Sequence, residues 1–441
     1  MKAKTEKASI ARKKRMIALM LLSIMIAALG CKGRVKNPSA SFRRLSAVPR
    51  AKDEVEIKQP DETFTRTHAA FMLDIFKNGL KKGENSLVSP VSVLTALAMT
   101  ANGAKGETLS EMRKTLSRGL AGEELNAYLA AYLDSLVGDK SAKIEIANSI
   151  WFRENADARK ASPDTPQVFT PNEEFLQTNA DIYGADIFAA PFDKATVNEI
   201  NNWVTEKTDG MIDGIIDELD ERAVMQIINA LTFEAEWQRK YTEEHQVFDG
   251  EFTALGGQKR MVKFMSSTEQ TYVQTESAEG FIKPYKDGRF AFMALLPNEG
   301  VDIYDFIDGM DGESLLSLIE NAQECEVKAS MPKFSFEYEI SLKDALKAMG
   351  MQSAFDAARS DLSGLGESVY GNIAIDEVLH KTYIEVGEQG TKAGALTSVM
   401  PAPTSVEVEP KIIRLDRPFM FMIIDTETNL PLFIGALTDP S

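Results

Sequence analysis

The side chains able to do covalent chemistry are few. The chain of 441 residues holds three histidines, His68, His245 and His380, and two cysteines, Cys31 and Cys325. A serine nucleophile needs a base within hydrogen-bond reach, and a metal site needs several ligands at set spacings. No Cys-x-x-Cys, His-Glu-x-x-His, Walker or Gly-x-Ser-x-Gly pattern occurs. A surface-anchored hydrolase would have to be assembled from scattered histidines, and neither a metal nor a cofactor is implied. On residue type alone, His380 reads as a satisfied core histidine and Trp237 as a core aromatic.

A different chemistry, that of the peptide backbone, shows between residues 385 and 410. Over 391–399 one alternate set is Thr391, Ala393, Ala395, Thr397 and Val399, all small or β-branched. The other is Lys392, Gly394, Leu396 and Ser398. A period of two puts the sets on opposite faces of a strand, the first suited to a tightly packed interior. Pro401 and Pro403 then oppose a regular central strand. Two readings stand at this point, a linker or a strand held outside a sheet.

The rest of the chain must supply the sheet. The spacing predicts a helix over 68–80, then a second over 90–101, with Ser89 as its N-cap and Pro90 in its first turn. Residues 144–152 alternate as a strand, 198–208 read as a helix, and 281–297 form a hairpin around Asp287 and Gly288. A strand is expected from Met331 to Ile340, a capped helix over 341–349, and a buried hairpin over 416–437. With neither an internal repeat nor a linker after residue 61, residues 61–441 read as one α+β domain.

The N-terminus reads as an address. Lys2, Lys4, Lys7, Arg12, Lys13, Lys14 and Arg15 precede an apolar run over 16–29, interrupted only by Ser23. That run is shorter than the roughly 20 residues a bilayer span needs, so residues 1–30 are expected to be a signal peptide and 31–60 a tether. The sequence Ala28-Leu29-Gly30-Cys31 resembles a bacterial lipobox, which implies lipid attachment at Cys31. The chain is then exported and lipid-anchored on a periplasmic or cell-surface face, or extracellular. Net charge is −17 overall, and residues 1–50 carry thirteen Lys or Arg against one Glu. So acidic a body excludes nucleic acid as the main partner and leaves the lipid anchor as the one membrane contact. A monomer is expected.

Several ordered blocks carry a family resemblance. Residues 85–108, with their Ser-Pro-x-Ser start and Gly-Ala-x-Gly-x-Thr end, look like the second-helix signature of the serpins. Asn229-Ala-x-x-Phe-x-x-x-Trp237 and residues 378–391 are similar to two further serpin blocks. The resemblance implies a serpin fold: α+β, three β-sheets, about eight or nine helices, and an exposed reactive-centre loop over about 388–410. It assigns Glu388, Gly390, Thr391, Ala393, Ala395 and Thr397 to the hinge. Ser89, Ser92, Asn229 and His380 fall on the polar "shutter", and Trp237 on the "breach".

It also implies a function. In inhibitory serpins a target protease forms an acyl-enzyme with the loop, which then inserts as a new central strand and traps the complex. The chain is expected to be such a suicide-substrate inhibitor of a serine endopeptidase, with a cysteine endopeptidase as a second class and a non-inhibitory carrier as the alternative. Thirteen residues beyond the hinge threonine, the reactive bond falls at Thr404-Ser405. Counting back from Arg417-Pro418-Phe419 favours Val406-Glu407, the second choice. Small or β-branched residues there, with no Arg or Lys from Ala393 to Glu409, suit an elastase-like partner. Leu396 is larger than the serpin norm, and Pro401 removes a ladder donor.

Overall fold

A helix buried along almost its whole length packs against the central strands of a seven-stranded sheet, and the fold is built outward from it. The computed structural model describes residues 42–50, 55–154, 169–220, 223–369, 371–391 and 409–440. Its helices are α1 (Glu62–Asn78), α2 (Pro90–Ala101), α3 (Gly106–Ser117), α4 (Gly122–Gly138), α5 (Glu173–Tyr183), α6 (Lys194–Lys207), α7 (Ile303–Gly309), α8 (Gly312–Glu320) and α9 (Lys343–Ala348). Helix α2 is apolar on nearly every face and buried along almost its whole length, as an all-round hydrophobic helix must be.

The main sheet is seven-stranded. In chain order its strands are β1 (Arg43–Arg44), β2 (Ala142–Arg153), β3 (Asp186–Ala190), β4 (Met225–Glu236), β5 (Phe334–Ser341), β6 (Glu377–Val386) and β7 (Gly390–Thr391). In space they run β1-β3-β2-β4-β7-β6-β5. A nine-stranded sheet, which contains the hairpins Ala278–Pro284 with Phe290–Pro297 and Phe419–Asp425 with Leu430–Leu437, packs behind it. A two-stranded sheet pairs Gly366–Ser368 with Phe169–Pro171. Three sheets and nine described helices agree with the expected architecture.

Strand β4 shows poor alternation because both its faces are covered. Ile227, Leu231, Phe233 and Ala235 join the main core, whereas Ile228 and Ala230 join a smaller cluster with Ile200 and Val204 of α6. Between β4 and β6 the ladder is forked. The two strands pair in parallel from Gln226 opposite Glu377 to Leu231 opposite Thr382. Beyond that, β7 stands between them, antiparallel to both, with Thr391 opposite Ala235 and Val386.

Several boundaries differ from expectation for local reasons. Helix α1 starts at Glu62, because the Asp61 carboxylate accepts from the Phe64 amide at 3.0 Å and caps it. The single strand expected from Met331 is two: Gln323–Pro332 belongs to the rear sheet, and after Lys333 the chain crosses into β5. Helix α9 starts at Lys343 without a side-chain cap. Ser89 does sit at the N-cap of α2, yet its hydroxyl makes no capping bond.

The segment expected as a tether is docked where it is described. Arg43 pairs with Glu154 at 2.7 Å, Arg44 with Asp186 at 2.7 Å and Arg50 with Asp181 at 2.6 Å. Phe42 packs edge-on against Trp151 and Phe188. The segment expected to be a signal peptide, Cys31, and loop residues Ala393, Ala395, Thr397, Thr404, Ser405, Val406 and Glu407 lie outside the described residues.

Candidate functional site: the parting strands

Asn229 stands two rungs below the point where β4 and β6 part. It faces His380 in the parallel register with β6 and Asn148 in the antiparallel register with β2, so three polar residues line up across three strands. Its amide nitrogen donates to Ser92 Oγ and to Asn148 Oδ1, each at 2.5 Å, and its Oδ1 meets His380 Nδ1 at 2.5 Å. The Ser89 backbone amide donates to His380 Nε2 at 3.0 Å. A backbone N–H can only donate, which makes Nε2 the acceptor and puts the imidazole proton on Nδ1, aimed at Asn229. Every one of these side chains is buried.

At the open end of the fork the hinge is gripped by larger groups. The Trp237 backbone amide donates to Gln389 O at 2.9 Å, and its indole Nε1 donates to Gly387 O at 2.8 Å. The indole stacks on Tyr285 with ring centres 4.4 Å apart, and the Tyr285 hydroxyl lies 2.5 Å from Thr391 Oγ1. Lys333 Nζ pairs with Glu388 at 2.8 Å, and the Tyr241 amide donates to the Glu388 carbonyl at 3.1 Å. At Gly390 a Cβ would come within 2.0 Å of Ala235 O, so only glycine lets β7 close on β4.

A sequence profile for "Serpin (serine protease inhibitor)" matches residues 66–440. The chain is a serpin. An uncharacterized serpin-like protein of Thermococcus kodakarensis is 29% identical, over 97% of this chain and 99% of that one. The leukocyte elastase inhibitor of Xenopus laevis is 29% identical over 84% of this chain and 97% of its own length. Among solved structures, the native state of the thermophilic serpin tengpin is similar at 43% identity, with a TM-score of 0.81 over 91% of this chain and 100% of that one. Serpins are protease inhibitors and not catalytic enzymes.

In this serpin the structure brings Ser89, Ser92, Asn229 and His380 into one cluster, and Glu388, Gly390, Thr391 and Trp237 into another. His68 and His245 take no part in either cluster. His68 is buried in α1 against Phe64, and His245 pairs with Glu243 at the surface. No described residues form a group able to hold a metal ion.

Burial pushes the imidazole of His380 down to about 3. The hydrogen bonding explains the direction too, since a proton on Nε2 would abolish the acceptor that the Ser89 amide uses. Beneath the hinge, Lys283 and Glu269 form a buried pair at 2.7 Å with side chains 1% and 4% exposed. Burial alone would lower the Lys283 pKa, but the Tyr241 hydroxyl and the Glu269 carboxylate outweigh it and hold it above its ordinary value. Glu388 is likewise held below the usual carboxylate range, where Lys333 outweighs the larger single cause, desolvation.

Several members of these clusters escaped the sequence reading. Asn148 interrupts the apolar set Ile144, Ile146 and Ile150 on one face of β2, and a polar residue at that position was a usable signal. Lys283 similarly breaks an apolar run after Phe281 and Ile282. For Tyr285, Tyr241 and Lys333 no local signal exists, because their roles depend on which strands meet.

Proposed function

We propose that this serpin is an inhibitor that traps a target endopeptidase as a covalent acyl-enzyme. The nucleophile of the protease attacks the carbonyl carbon of Thr404, the Thr404-Ser405 amide breaks, and its nitrogen leaves with a proton as a new amino terminus. The segment still tied to the protease then inserts between β4 and β6. An elastase-like serine endopeptidase suits Thr404 best, and Val406-Glu407 is the second bond. The likeness to the Xenopus leukocyte elastase inhibitor supports that target class. A cysteine endopeptidase would form the corresponding thioester.

The observation that carries this reading is that β7 already starts the new strand, in a register that the loop can continue. Gly390 lies opposite Glu236 and Thr391 opposite Ala235, so each following residue would meet β4 one position earlier. Lys392 would then face the opposite charge of Glu234, and Ala393 and Ala395 would face Phe233 and Leu231 on the core side. Thr397 would come between Asn229 and His380, where its hydroxyl could rejoin the two.

The two features that oppose insertion lose their force in this register. Leu396 would lie beside Ala230, in the apolar layer that includes Ile200 and Val204. Pro401 would reach Met225, the first residue of β4 and so the end of the ladder, where a missing donor matters least. An inserted strand of ten residues reaches about 33 Å, enough to carry an attached protease far along the sheet. The uninserted form is then held kinetically.

Further parts of the proposal concern place and state. The serpin acts as a monomer, exported by the segment 1–30 and held at a bacterial membrane through a lipid on Cys31, or else released to the exterior. Incubation with an elastase-like protease should give a covalent complex that survives SDS and heating, and mass spectrometry of the released peptide should begin at Ser405. Complete cleavage without complex would replace this reading by a non-inhibitory one. Loss of membrane fractionation in Cys31→Ser tests the anchor.

A further inference from the structure

We propose that a cleft far from the fork, between the end of α2, helix α3 and the first turns of α4 and α5, binds a small amphiphilic monocarboxylate with Arg113 as its counter-ion. The cleft encloses about 360 Å³, within the usual range for small-molecule sites. Arg113 projects from α3 into it, and its Nε is buried there without a partner among the described residues. A buried donor left unpaired is the kind of group that a ligand oxygen completes.

The guanidinium has room because the facing residue has no side chain. A Cβ on Gly122 would lie 3.2 Å from Arg113 Nη2. Gly122 opens α4, whose N-cap, Ala121, offers no side-chain acceptor, so the first-turn amides stay available on the same wall. The asparagine pair beside it is already used: Asn126 donates to Asn102 at 2.8 Å and accepts from the Tyr183 hydroxyl at 2.7 Å.

The rest of the lining selects the ligand class. Leu109, Leu116 and Phe175 give an apolar wall for a hydrocarbon body. Glu123 and Glu174 stand exposed at the rim, where they outnumber the equally exposed Lys105 and repel polyanions, which leaves one negative charge matched to the guanidinium.

Calorimetric titration of the full chain with octanoate, octanol and inorganic phosphate tests this. Octanoate should bind, and the other two should bind at least about tenfold more weakly, as loss of a charge-assisted hydrogen bond or of apolar contact requires. Arg113→Leu should weaken octanoate by a similar factor, and so should Gly122→Val, which crowds the guanidinium without touching the core. Equal binding of octanol overturns the counter-ion, and equal binding of phosphate overturns the apolar half. Unchanged octanoate affinity in either folded variant, or no octanoate binding at all, overturns the site.

Discussion

The two ends of the gap between β4 and β6 are held by different chemistry. At the open end the hinge is gripped by a stacked indole and phenol, a buried ion pair and a half-exposed one, several large groups each making part of the hold. Six rungs lower, a single buried amide, Asn229, links Ser92, Asn148 and His380. The first arrangement is redundant and tolerates small changes. The second is uncharged and specific, and it fails as a unit. The strands stand apart where the contacts are many, and their pairing resumes two rungs above Asn229.

The largest effect should come from placing a charge at the hinge. Thr391 is 2% exposed, and Thr391→Arg would bury an uncompensated guanidinium against Tyr285. The yield of SDS-stable complex should fall on the order of tenfold or more, with cleaved inhibitor appearing instead. Undiminished complex would contradict insertion through this register. Asn229→Ala comes next. It strands the His380 proton and leaves Ser92 and Asn148 short of a donor, so denaturant unfolding should show a loss of about 3 kcal/mol.

Acid should weaken the shutter more gently. The unfolded chain takes up a proton at His380 below about pH 6.5, while the native state resists until about 3. The unfolded state therefore binds more protons across that window, and stability present in full above 6.5 is lost as pH falls through it. Unfolding midpoints should drop from pH 7 to pH 5, and less steeply in His380→Gln. His68, pushed down to about 4 by burial, adds a slope of the same sign away from the gap. The smallest effect belongs to the redundant end. Lys333→Ala removes a partly exposed pair and should cost about 1 kcal/mol or less in global unfolding. A loss as large as that of Asn229→Ala would erase the contrast between the two ends.

How much could be read from the chain follows the same division. Helix α2 and the strands around it were legible, because their apolar runs and the Ser89-Pro90 start are local signals. The shutter residues were legible through their motif, except Asn148, whose importance comes from register with Asn229. The clamp was mostly illegible: Tyr285, Tyr241 and Lys333 come from the rear sheet and its connections, and nothing local marks them as neighbours of Glu388 or Thr391. The break at Lys333 was missed because apolar residues continue on both sides while the chain changes sheets.

The forked ladder also sets an order of events. Between the last parallel pair and β7, residues 232–234 and 383–385 have no ladder partner across the gap among the described residues. The first three residues to follow Thr391 would therefore gain hydrogen bonds on both sides and break none. From Ala395 onward each advance would exchange one parallel rung for two antiparallel ones, beginning two residues above Asn229. Insertion as proposed would then behave as a ratchet, running freely for three teeth and meeting its catch at the Asn229 amide.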